Sequence, residues 1–368
     1  MKIAAIETVV FDLPTKHPHK LAMVTITTQS MLLVRVKGDN GLEGLGEASV
    51  VLRYGSETIE GVQAAVEHYL APPLIGRDPA NIEEILAVMD GILKDNWCAK
   101  GVIEMACVDL VARTLNVPAA VLFGGSVRES IPVLRVLGNG VAEKDIALAE
   151  EAMAAGSNNR FLVKLGRADP KDDVERALAV KAALGDRAIV HADANQCWNE
   201  ATANWCIERL EAGGIALIEQ PLPRSDVDGM RRLTERHTIP IMADEAIDTL
   251  ESAMAFARNR AADAFSIKIT KHGGLHRTKK VAAVAEAAGI TMFGGTMLES
   301  TLGTFACIQF YSTIVRLDWG CQMFGPLLFK DSITVEQPEY RNFAITVPRK
   351  PGFGATIDED KLTFYRRK

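Results

Sequence analysis

The hydrophobic and polar positions of this chain follow two rhythms, which divide it into unlike parts. Residues 3–13 and 30–37 alternate apolar and polar side chains as antiparallel strands do, and 38–41 form a hairpin-turn signal before a further short strand. Helical periodicity of apolar side chains follows. The predicted helices are 57–70, 82–93 and 99–115. This first part therefore predicts an α+β domain that ends near Gly124 and Gly125.

From about residue 131 onward, short apolar runs alternate with amphipathic segments, as in consecutive strand–helix units. The predicted strands are 131–136, 161–164, 188–193, 215–219, 241–244, 264–268, 290–293 and 317–323. Eight such units are the number that closes a (β/α) barrel of the TIM type. The sequence thus predicts an α/β protein with three parts. They are an α+β capping domain at 1–125, a barrel at 126–330, and a segment at 331–368 that returns to the capping domain.

Acidic side chains close three successive predicted strands of the barrel. Asp193, Glu219 and Asp244 each end an apolar run, and they are almost evenly spaced. Because the carboxyl ends of the strands of such a barrel meet at one mouth, these three carboxylates can surround one hard divalent cation. A single Asp in this place would be explained as the N-cap of the next helix. The repeated spacing favours a metal site instead.

Two lysines flank these carboxylates along the barrel. Lys164 ends the strand before Asp193, and Lys268 ends the strand after Asp244. A lysine near a divalent cation and a second lysine is pushed toward its neutral form, so it can act as a base. The pattern suits moving a proton next to a carboxylate while the cation holds the enediolate. In the alternative interpretation, the lysines only balance the negative charge or lie in solvent.

Composition excludes several other classes of protein. The 368 residues are 48% hydrophobic and 24% charged, with a net charge of −6 and no basic run that would suit a nucleic acid. No apolar stretch is long enough to cross a membrane, and the residues after Met1 are strand-like rather than a signal peptide. Six cysteines without zinc-ligand spacing indicate reduced thiols. We expect a cytoplasmic protein that binds neither nucleic acid nor membrane.

Four further segments carry a family resemblance: 19–23, 99–106, 294–300 and 324–328. Together with the order Lys–Asp–Glu–Asp–Lys, they make the chain similar to the enolase superfamily and, within it, to the muconate lactonizing (muconate cycloisomerase) subgroup. The resemblance covers the whole length and implies a capping domain before a modified TIM barrel. It implies Asp193, Glu219 and Asp244 as ligands of Mg²⁺ or Mn²⁺, with Lys164 and Lys268 as catalytic residues.

The same resemblance implies residues around a small carboxylate substrate. The candidates are Asn195, Tyr54, Arg53, Met297 and Glu299. Arg53 could pair with a distant substrate carboxylate or lie in solvent, and Glu299 could equally favour the first turn of the next helix. Glu245 points to the other face of its strand from Asp244 and is expected to support the site from behind.

One position departs from the family pattern. The second barrel strand of the family carries Lys-x-Lys, and here the first lysine is replaced by Leu162, ahead of Lys164. The loss of a like charge and the drier surroundings act on the pKa of Lys164 in opposite directions. Because Lys164 is retained, we expect proton transfer to survive, while the identity of the substrate is less closely defined.

The resemblance implies a metal-dependent cycloisomerase that interconverts cis,cis-muconate, or a related dicarboxylate, and muconolactone through an enolate protonated by lysine. It also implies a homo-oligomer, commonly an octamer. The alternatives on the same scaffold are a racemase or epimerase of N-acylamino acids or dipeptides and an o-succinylbenzoate synthase-like enzyme. Residues 319–324 lack the Asp-x-Asp pair of dipeptide epimerases, and 293–295 lack the histidine of mandelate racemases. A binding protein whose metal is only structural is a further alternative.

Overall fold

An antiparallel sheet opens the structure, a computed structural model that describes residues 1–20, 25–52, 54–166 and 169–368. Its strands, in the order β1-β2-β3, are β1 (Ile3–Lys20), β2 (Thr25–Gly38) and β3 (Glu43–Ser49). The three predicted strands are present, and β1 and β2 extend beyond the alternating stretches that indicated them. Arg53 and most of the segment 19–23 lie outside the described residues.

Helices pack against this sheet and cover it. They are α1 (Ile59–Ala64), continued by a π-type turn at Ala65–Leu70 and a 3-10 turn at Pro72–Leu74, then α2 (Ile82–Ile92), α3 (Trp97–Thr114) and a 3-10 turn at Ala119–Phe123. Two glycines of β3 let α3 approach closely. A Cβ atom on Gly44 or Gly46 would lie 2.1 Å from the backbone oxygen of Ala106 or Val102. The α+β cap predicted from the sequence is therefore present.

Seven parallel strands form the larger sheet, in the order β11-β10-β9-β8-β7-β6-β5. They are β5 (Leu134–Leu137), β6 (Arg160–Lys164), β7 (Ile189–Asp193), β8 (Leu217–Glu219), β9 (Ile241–Ala243), β10 (Ala264–Ile267) and β11 (Thr291–Gly294). Nearly all their residues are buried, because helices cover one face and the barrel interior the other. The modified barrel is therefore present as predicted.

The helices of the barrel alternate with these strands. They are α4 (Ala142–Ala154), α5 (Pro170–Leu184), α6 (Glu200–Ala212), α7 (Val227–Arg236), α8 (Leu250–Asn259), α9 (Ile269–His272), α10 (Leu275–Ala287), α11 (Thr301–Tyr311) and α12 (Gly325–Leu328), with a 3-10 turn at Gly185–Arg187. In α5, the Asp169 carboxylate accepts from the Lys171 N–H at 2.9 Å, which caps the helix, and Pro170 is the first helical residue.

Single bridges close the barrel ring where an eighth strand was predicted. Cys321 forms single bridges with both Val133 and Gly294. Within the described residues, these bridges are not extended into a regular strand over 317–323. The predicted first strand is divided between two sheets, as β4 (Ser130–Pro132) and β5. Val133 N–H donates to the Phe343 carbonyl, whereas Leu134 N–H donates to the Cys321 carbonyl, so the chain changes partners between these residues.

The last part of the chain contacts both β4, at the start of the barrel segment, and β1 of the capping domain. It contains β12 (Tyr340–Arg341), β13 (Ala344–Thr346) and α13 (Glu359–Tyr365), and β13 pairs with β4. Arg367 donates to both carboxylate oxygens of Asp12 in β1, at 2.9 and 2.6 Å. The domain boundaries at 125 and 330 remain predictions. Among the helices of the described ranges, none is long and apolar enough to cross a membrane.

Candidate active site

The ends of three neighbouring strands lie side by side at one mouth of the barrel. Lys164, Asp193 and Glu219 end β6, β7 and β8, and the sheet register pairs Lys164 with Asp193 and Asp193 with Glu219. Asp244 directly follows β9, and Lys268 directly follows β10. The structure therefore brings together the five side chains that the sequence placed at successive strand ends.

Each lysine contacts the carboxylate nearest to it. The Lys164 ammonium donates to Asp193 and also to Asn195 Oδ1, the latter at 3.1 Å. The Lys268 ammonium lies 2.6 Å from Asp244 Oδ2. The two cationic groups thus approach the acidic cluster from opposite sides, an arrangement in which one can transfer a proton while the other stabilises negative charge.

Glu219 lies between the other two carboxylates and has an unused oxygen. Its Oε2 is buried and has no hydrogen-bond partner among the described residues. Burial raises the pKa of Glu219 well above its usual value, and the charges of Asp193 and Asp244 raise it further. An orphaned carboxylate oxygen beside two more carboxylates is a donor set that suits a hard divalent cation.

The lysines hold the outer carboxylates in the present arrangement. Within the described ranges, no three acidic, cysteine or histidine side chains are gathered closely enough to enclose a metal. Lys164 contacts Asp193, and Lys268 contacts Asp244, so these carboxylates are turned to ammonium groups. We therefore expect metal binding to exchange these ion pairs for metal–carboxylate bonds.

The same ion pairs determine the protonation state of Lys164. Burial lowers the pKa of Lys164, but the negative charges of Asp193 and Glu219 outweigh burial and raise it overall. The carboxylates thus keep this lysine charged, whereas the sequence predicted a neutral base. Lys164 can become neutral only if a divalent cation binds these carboxylates. The cation would neutralise the negative charges that attract a proton to Lys164, and its own positive charge would repel the ammonium group.

Tyr54 extends from the capping domain into this cluster. Its hydroxyl donates to Asp244 Oδ2 at 2.5 Å, and the Lys268 ammonium donates to the hydroxyl oxygen, also at 2.5 Å. The same ammonium lies 4.1 Å from the centre of the tyrosine ring. The capping domain therefore contributes a side chain that touches both a predicted metal ligand and a predicted catalytic lysine.

A cavity of about 260 Å³ opens beside these residues, between the capping domain and the barrel mouth. Residues from both parts line it, among them Tyr54, Trp97, Arg224, Glu245, Lys271 and Met297. A volume of this size suits a small organic acid. The predicted substrate contacts of Tyr54 and Met297 are consistent with their place in the wall.

Asn195 connects Lys164 to Glu245. The Asn195 side chain accepts from Lys164 through Oδ1 and donates through Nδ2 to Glu245 Oε1 at 3.1 Å. Its backbone has a φ of 42°, in the left-handed region that asparagine tolerates better than most residues. The pKa of Glu245 is raised to about 7, mainly by burial and further by the negative charges of Asp244 and Asp193. Glu245 thus borders both the cluster and the cavity.

Comparison with known proteins gives the family. Two sequence-family models match the chain. The family "Mandelate racemase / muconate lactonizing enzyme, N-terminal domain" matches residues 5–124, and the family "Enolase C-terminal domain-like" matches residues 144–361. The chain belongs to the mandelate racemase/muconate lactonizing enzyme family of the enolase superfamily. It is therefore an enzyme of the muconate-cycloisomerase-like type, as the resemblance implied, and enzymes of this family depend on a divalent metal.

Individual members of the family match along the full chain. A chloromuconate cycloisomerase of Delftia acidovorans is 43% identical, with 100% of each chain covered. Muconate cycloisomerase 1 of Pseudomonas putida is 41% identical over 98% of this chain and 97% of its own. The crystal structure of the muconate lactonizing enzyme from Pseudomonas fluorescens complexed with muconolactone superposes with a TM-score of 0.97, at 41% identity and 100% and 99% coverage.

Leu162 occupies the place of the first lysine of the family's Lys-x-Lys motif. Leu162 lies two residues before Lys164, on the same face of β6, and its side chain is 1% exposed. It pairs with His191 on the adjacent strand β7. The His191 ring packs edge-on against Trp319, with ring centres 5.4 Å apart. The space below Lys164 is therefore filled by apolar and aromatic side chains, which leaves Lys164 without a neighbouring lysine on its own strand.

Glu299 is buried in the loop between β11 and α11. Its carboxylate accepts from the Met297 N–H at 2.9 and 3.0 Å and from the Thr296 hydroxyl. These contacts organise its own loop and hold Met297 in the cavity wall. A direct contact between Glu299 and the substrate remains a prediction.

Three residues of the site were not singled out from the sequence. Lys271, in the short helix α9, donates to Asp244 Oδ1 at 3.0 Å. Gln220 Oε1 accepts from the Asp244 N–H at 2.8 Å and so fixes the end of β9. Arg224 lies in the loop after β8 and lines the cavity. A position just after a barrel strand end was the available signal for all three, because such loops build the mouth.

Proposed function

We propose that this protein interconverts cis,cis-muconate, or a closely related dicarboxylate, and the corresponding muconolactone. The observation that carries the proposal is the pair of ammonium groups on opposite sides of three carboxylates at neighbouring strand ends, in a chain about 40% identical over its full length to muconate and chloromuconate cycloisomerases. Racemisation or epimerisation of another acid has no comparable support among these relatives.

Asp193, Glu219 and Asp244 would hold Mg²⁺ or Mn²⁺ in this proposal. The cation would supply positive charge at the substrate carboxylate and so stabilise the enolate. The unpartnered oxygen of Glu219 supports this assignment, because a buried carboxylate oxygen without a donor is costly unless a cation binds it. The choice between the two metals is open to direct titration.

Lys164 is proposed to move the proton. In the lactonising direction, one substrate carboxylate oxygen forms a C–O bond to the conjugated alkene, and the displaced electron pair moves to the carbon next to the other carboxylate. Lys164, in its protonated form, gives a proton to that carbon and forms the C–H bond. In the reverse direction, Lys164 takes the same proton back as the C–O bond breaks.

Lys268 is proposed to stabilise negative charge on the opposite face. It is buried, contacts Asp244 and Tyr54, and is 5% exposed, so its charge acts at short range in a dry site. Asn195 would orient Lys164, since its side chain accepts from that ammonium and is itself held by Glu245.

A substrate panel tests the proposal. We expect the purified protein with Mn²⁺ to convert cis,cis-muconate to the lactone, seen as loss of the diene absorbance, and to incorporate one solvent deuterium. N-acylamino acids and dipeptides should show no comparable deuterium exchange. Faster exchange into one of those acids than into muconolactone would contradict the proposal and favour a racemase or epimerase.

We also propose a cytoplasmic homo-oligomer, an octamer by resemblance to the subgroup. All six cysteines are free thiols, which suits a reducing compartment. Light scattering coupled to size-exclusion chromatography measures the assembly directly, and a monomeric mass at working concentration would contradict it.

A further inference from the structure

The cavity wall carries positive charge at two described positions with different hydrogen-bonding capacity. Lys271 is one of them, and its ammonium already donates to the Asp244 carbonyl, Asp244 Oδ1 and the Ser266 carbonyl, at 2.7, 3.0 and 2.8 Å. A lysine ammonium has three N–H donors, so all three are engaged. Lys271 therefore has no free donor for a substrate.

Arg224 is the other cation of the described wall, and it keeps most of its donors. Its side chain is 55% exposed at the cavity mouth, and Asp248 is the partner that the described residues give its guanidinium. A guanidinium has five N–H donors in a planar fork, so one ion pair leaves a second edge free. Such an edge matches both oxygens of a carboxylate.

The Arg224 backbone is fixed as well. Its N–H donates to the side-chain oxygen of Gln196 at 2.9 Å, and Gln196 N–H donates to the Gln220 carbonyl at 2.8 Å. Gln196 follows Asn195 in the loop after β7. The loop that carries Arg224 is thus tied to the loop behind the predicted metal ligands, which sets the Arg224 backbone at a defined place relative to the cluster.

A dicarboxylate has two ends that need different partners. In the proposed reaction, the end next to the transferred proton lies at the metal carboxylates, inside the barrel mouth. The other carboxylate must then lie toward the cavity that opens beside the cluster, where Glu245 and Asp248 would repel it unless a cation intervenes. Arg224 is the wall cation with donors to spare on that side.

We propose that Arg224 binds the substrate carboxylate remote from the metal, the one that closes the lactone, and makes the site selective for dicarboxylates. One of the two hydrogen bonds opens as the carboxylate oxygen forms the C–O bond. This inference rests on the proposed function and deepens it. Asp248 acts as the anchor, because its ion pair restricts the long arginine side chain at the cavity mouth. Arg224 is thus a substrate-binding residue outside the proton-transfer machinery.

The test uses unreactive acids, so that binding is measured without turnover. Calorimetric titration of the Mg²⁺-loaded protein compares adipate, a six-carbon dicarboxylate, with hexanoate, the monocarboxylate of equal length. We expect the wild type to prefer adipate and Arg224→Gln to lose that preference by about tenfold or more, with little change for hexanoate. Arg224→Lys should keep part of the preference, because it retains charge but not the fork.

Arg316→Gln is the matched control, since Arg316 is a half-exposed arginine in an ion pair with Asp318, away from the cavity. It should bind both acids as the wild type does. Equal affinities for adipate and hexanoate in the wild type, or an unchanged preference in Arg224→Gln, would overturn the inference. A preserved preference in a protein that fails to lactonise muconate would instead contradict only the proposed reaction.

Discussion

Tyr54 and Asp244 meet across the boundary between the capping domain and the barrel. The Tyr54 hydroxyl donates to Asp244 Oδ2 at 2.5 Å, although the two residues are far apart in sequence. The hydroxyl also accepts from Lys268, so one oxygen joins a predicted metal ligand to a predicted catalytic lysine. The position of the capping domain is therefore linked directly to the geometry of the candidate active site.

Tyr54→Phe should lower activity while the fold is retained. The variant loses the hydroxyl but keeps the ring over the Lys268 ammonium. A hydrogen bond to a charged group is worth about 1.5–3 kcal/mol, which corresponds to roughly a tenfold or greater loss of kcat/KM. Steady-state kinetics with muconate measure this effect. Tyr69→Phe, an exposed tyrosine of the same domain, is the control, and equal kinetics in both variants would contradict the expectation.

Asp244→Asn should weaken both metal binding and the fold. The change removes one predicted ligand and leaves the buried ammonium groups of Lys268 and Lys271 without their charged partner. Breaking a buried ion pair from one side costs about 3–5 kcal/mol, so unfolding should occur at lower denaturant concentration. Mn²⁺ titration and denaturation with and without metal measure the two effects.

Asp228→Asn is the control for that experiment, because Asp228 is an exposed acid outside the site. Metal should stabilise this variant as it stabilises the wild type, through binding to the folded state alone. Mn²⁺ affinity of Asp244→Asn equal to that of the control would remove Asp244 from the proposed ligand set.

The sequence predicted the barrel well because strand ends carry a local signal. Apolar runs closed by Lys164, Asp193 and Glu219 gave both the strands and their last residues, and the register then had to bring these side chains together. The first and last predicted strands were less accurate. There the chain exchanges partners between sheets at Val133 and closes the ring by bridges at Cys321, which depends on segments distant in sequence.

The contacts that the sequence did not predict are all tertiary. Lys271 belongs to a helix of only four residues, too short for a periodic pattern to indicate which side it buries. Arg224 has the composition of an ordinary surface loop, and only the shared cavity relates it to the site. Hydropathy and residue spacing do not predict such contacts, because the contacts depend on how loops from separate strand–helix units fold over the barrel mouth.

A buried glutamate between the cap and the barrel should make stability depend on pH. Glu47 in β3 accepts from the Ser300 N–H at 2.7 Å, the Gly303 N–H at 3.3 Å and the Ser300 hydroxyl, at the start of α11. Burial raises the pKa of Glu47 to about 7, against the lowering effect of these hydrogen bonds, and the charge of Glu299 raises it further.

Because the folded-state pKa of Glu47 lies above the unfolded value, the folded protein binds the extra proton between about pH 4.5 and 7. The free energy of unfolding should therefore fall as the pH rises through this range. Glu47→Gln should reduce that fall by an amount on the order of 3 kcal/mol. Denaturation at a series of pH values measures it. Glu43→Gln, a half-exposed glutamate of the same strand, should leave the pH dependence as it is, and identical slopes in the two variants would contradict the assignment.

The two lysines should fail in different ways when they are removed. Lys164→Ala and Lys268→Ala are each expected to lose most turnover, because one moves the proton and the other stabilises the anion. Exchange of solvent deuterium into muconolactone separates these roles. It should disappear in Lys164→Ala and persist at a reduced rate in Lys268→Ala, since the proton carrier is still present in the second variant.

Neither change is conservative for the acidic cluster, so metal affinity is measured in parallel. Loss of Lys164 frees Asp193 Oδ2, and loss of Lys268 leaves Asp244 Oδ2 with only the neutral Tyr54 hydroxyl as a donor. Each change removes a positive charge beside the carboxylates, so both should make Mn²⁺ binding tighter rather than weaker. Tight metal binding with no turnover would then show that the defect lies in proton transfer. Exchange that survives in Lys164→Ala and vanishes in Lys268→Ala would reverse the assignment, and full lactonising activity in both variants would exclude a two-lysine mechanism for this protein.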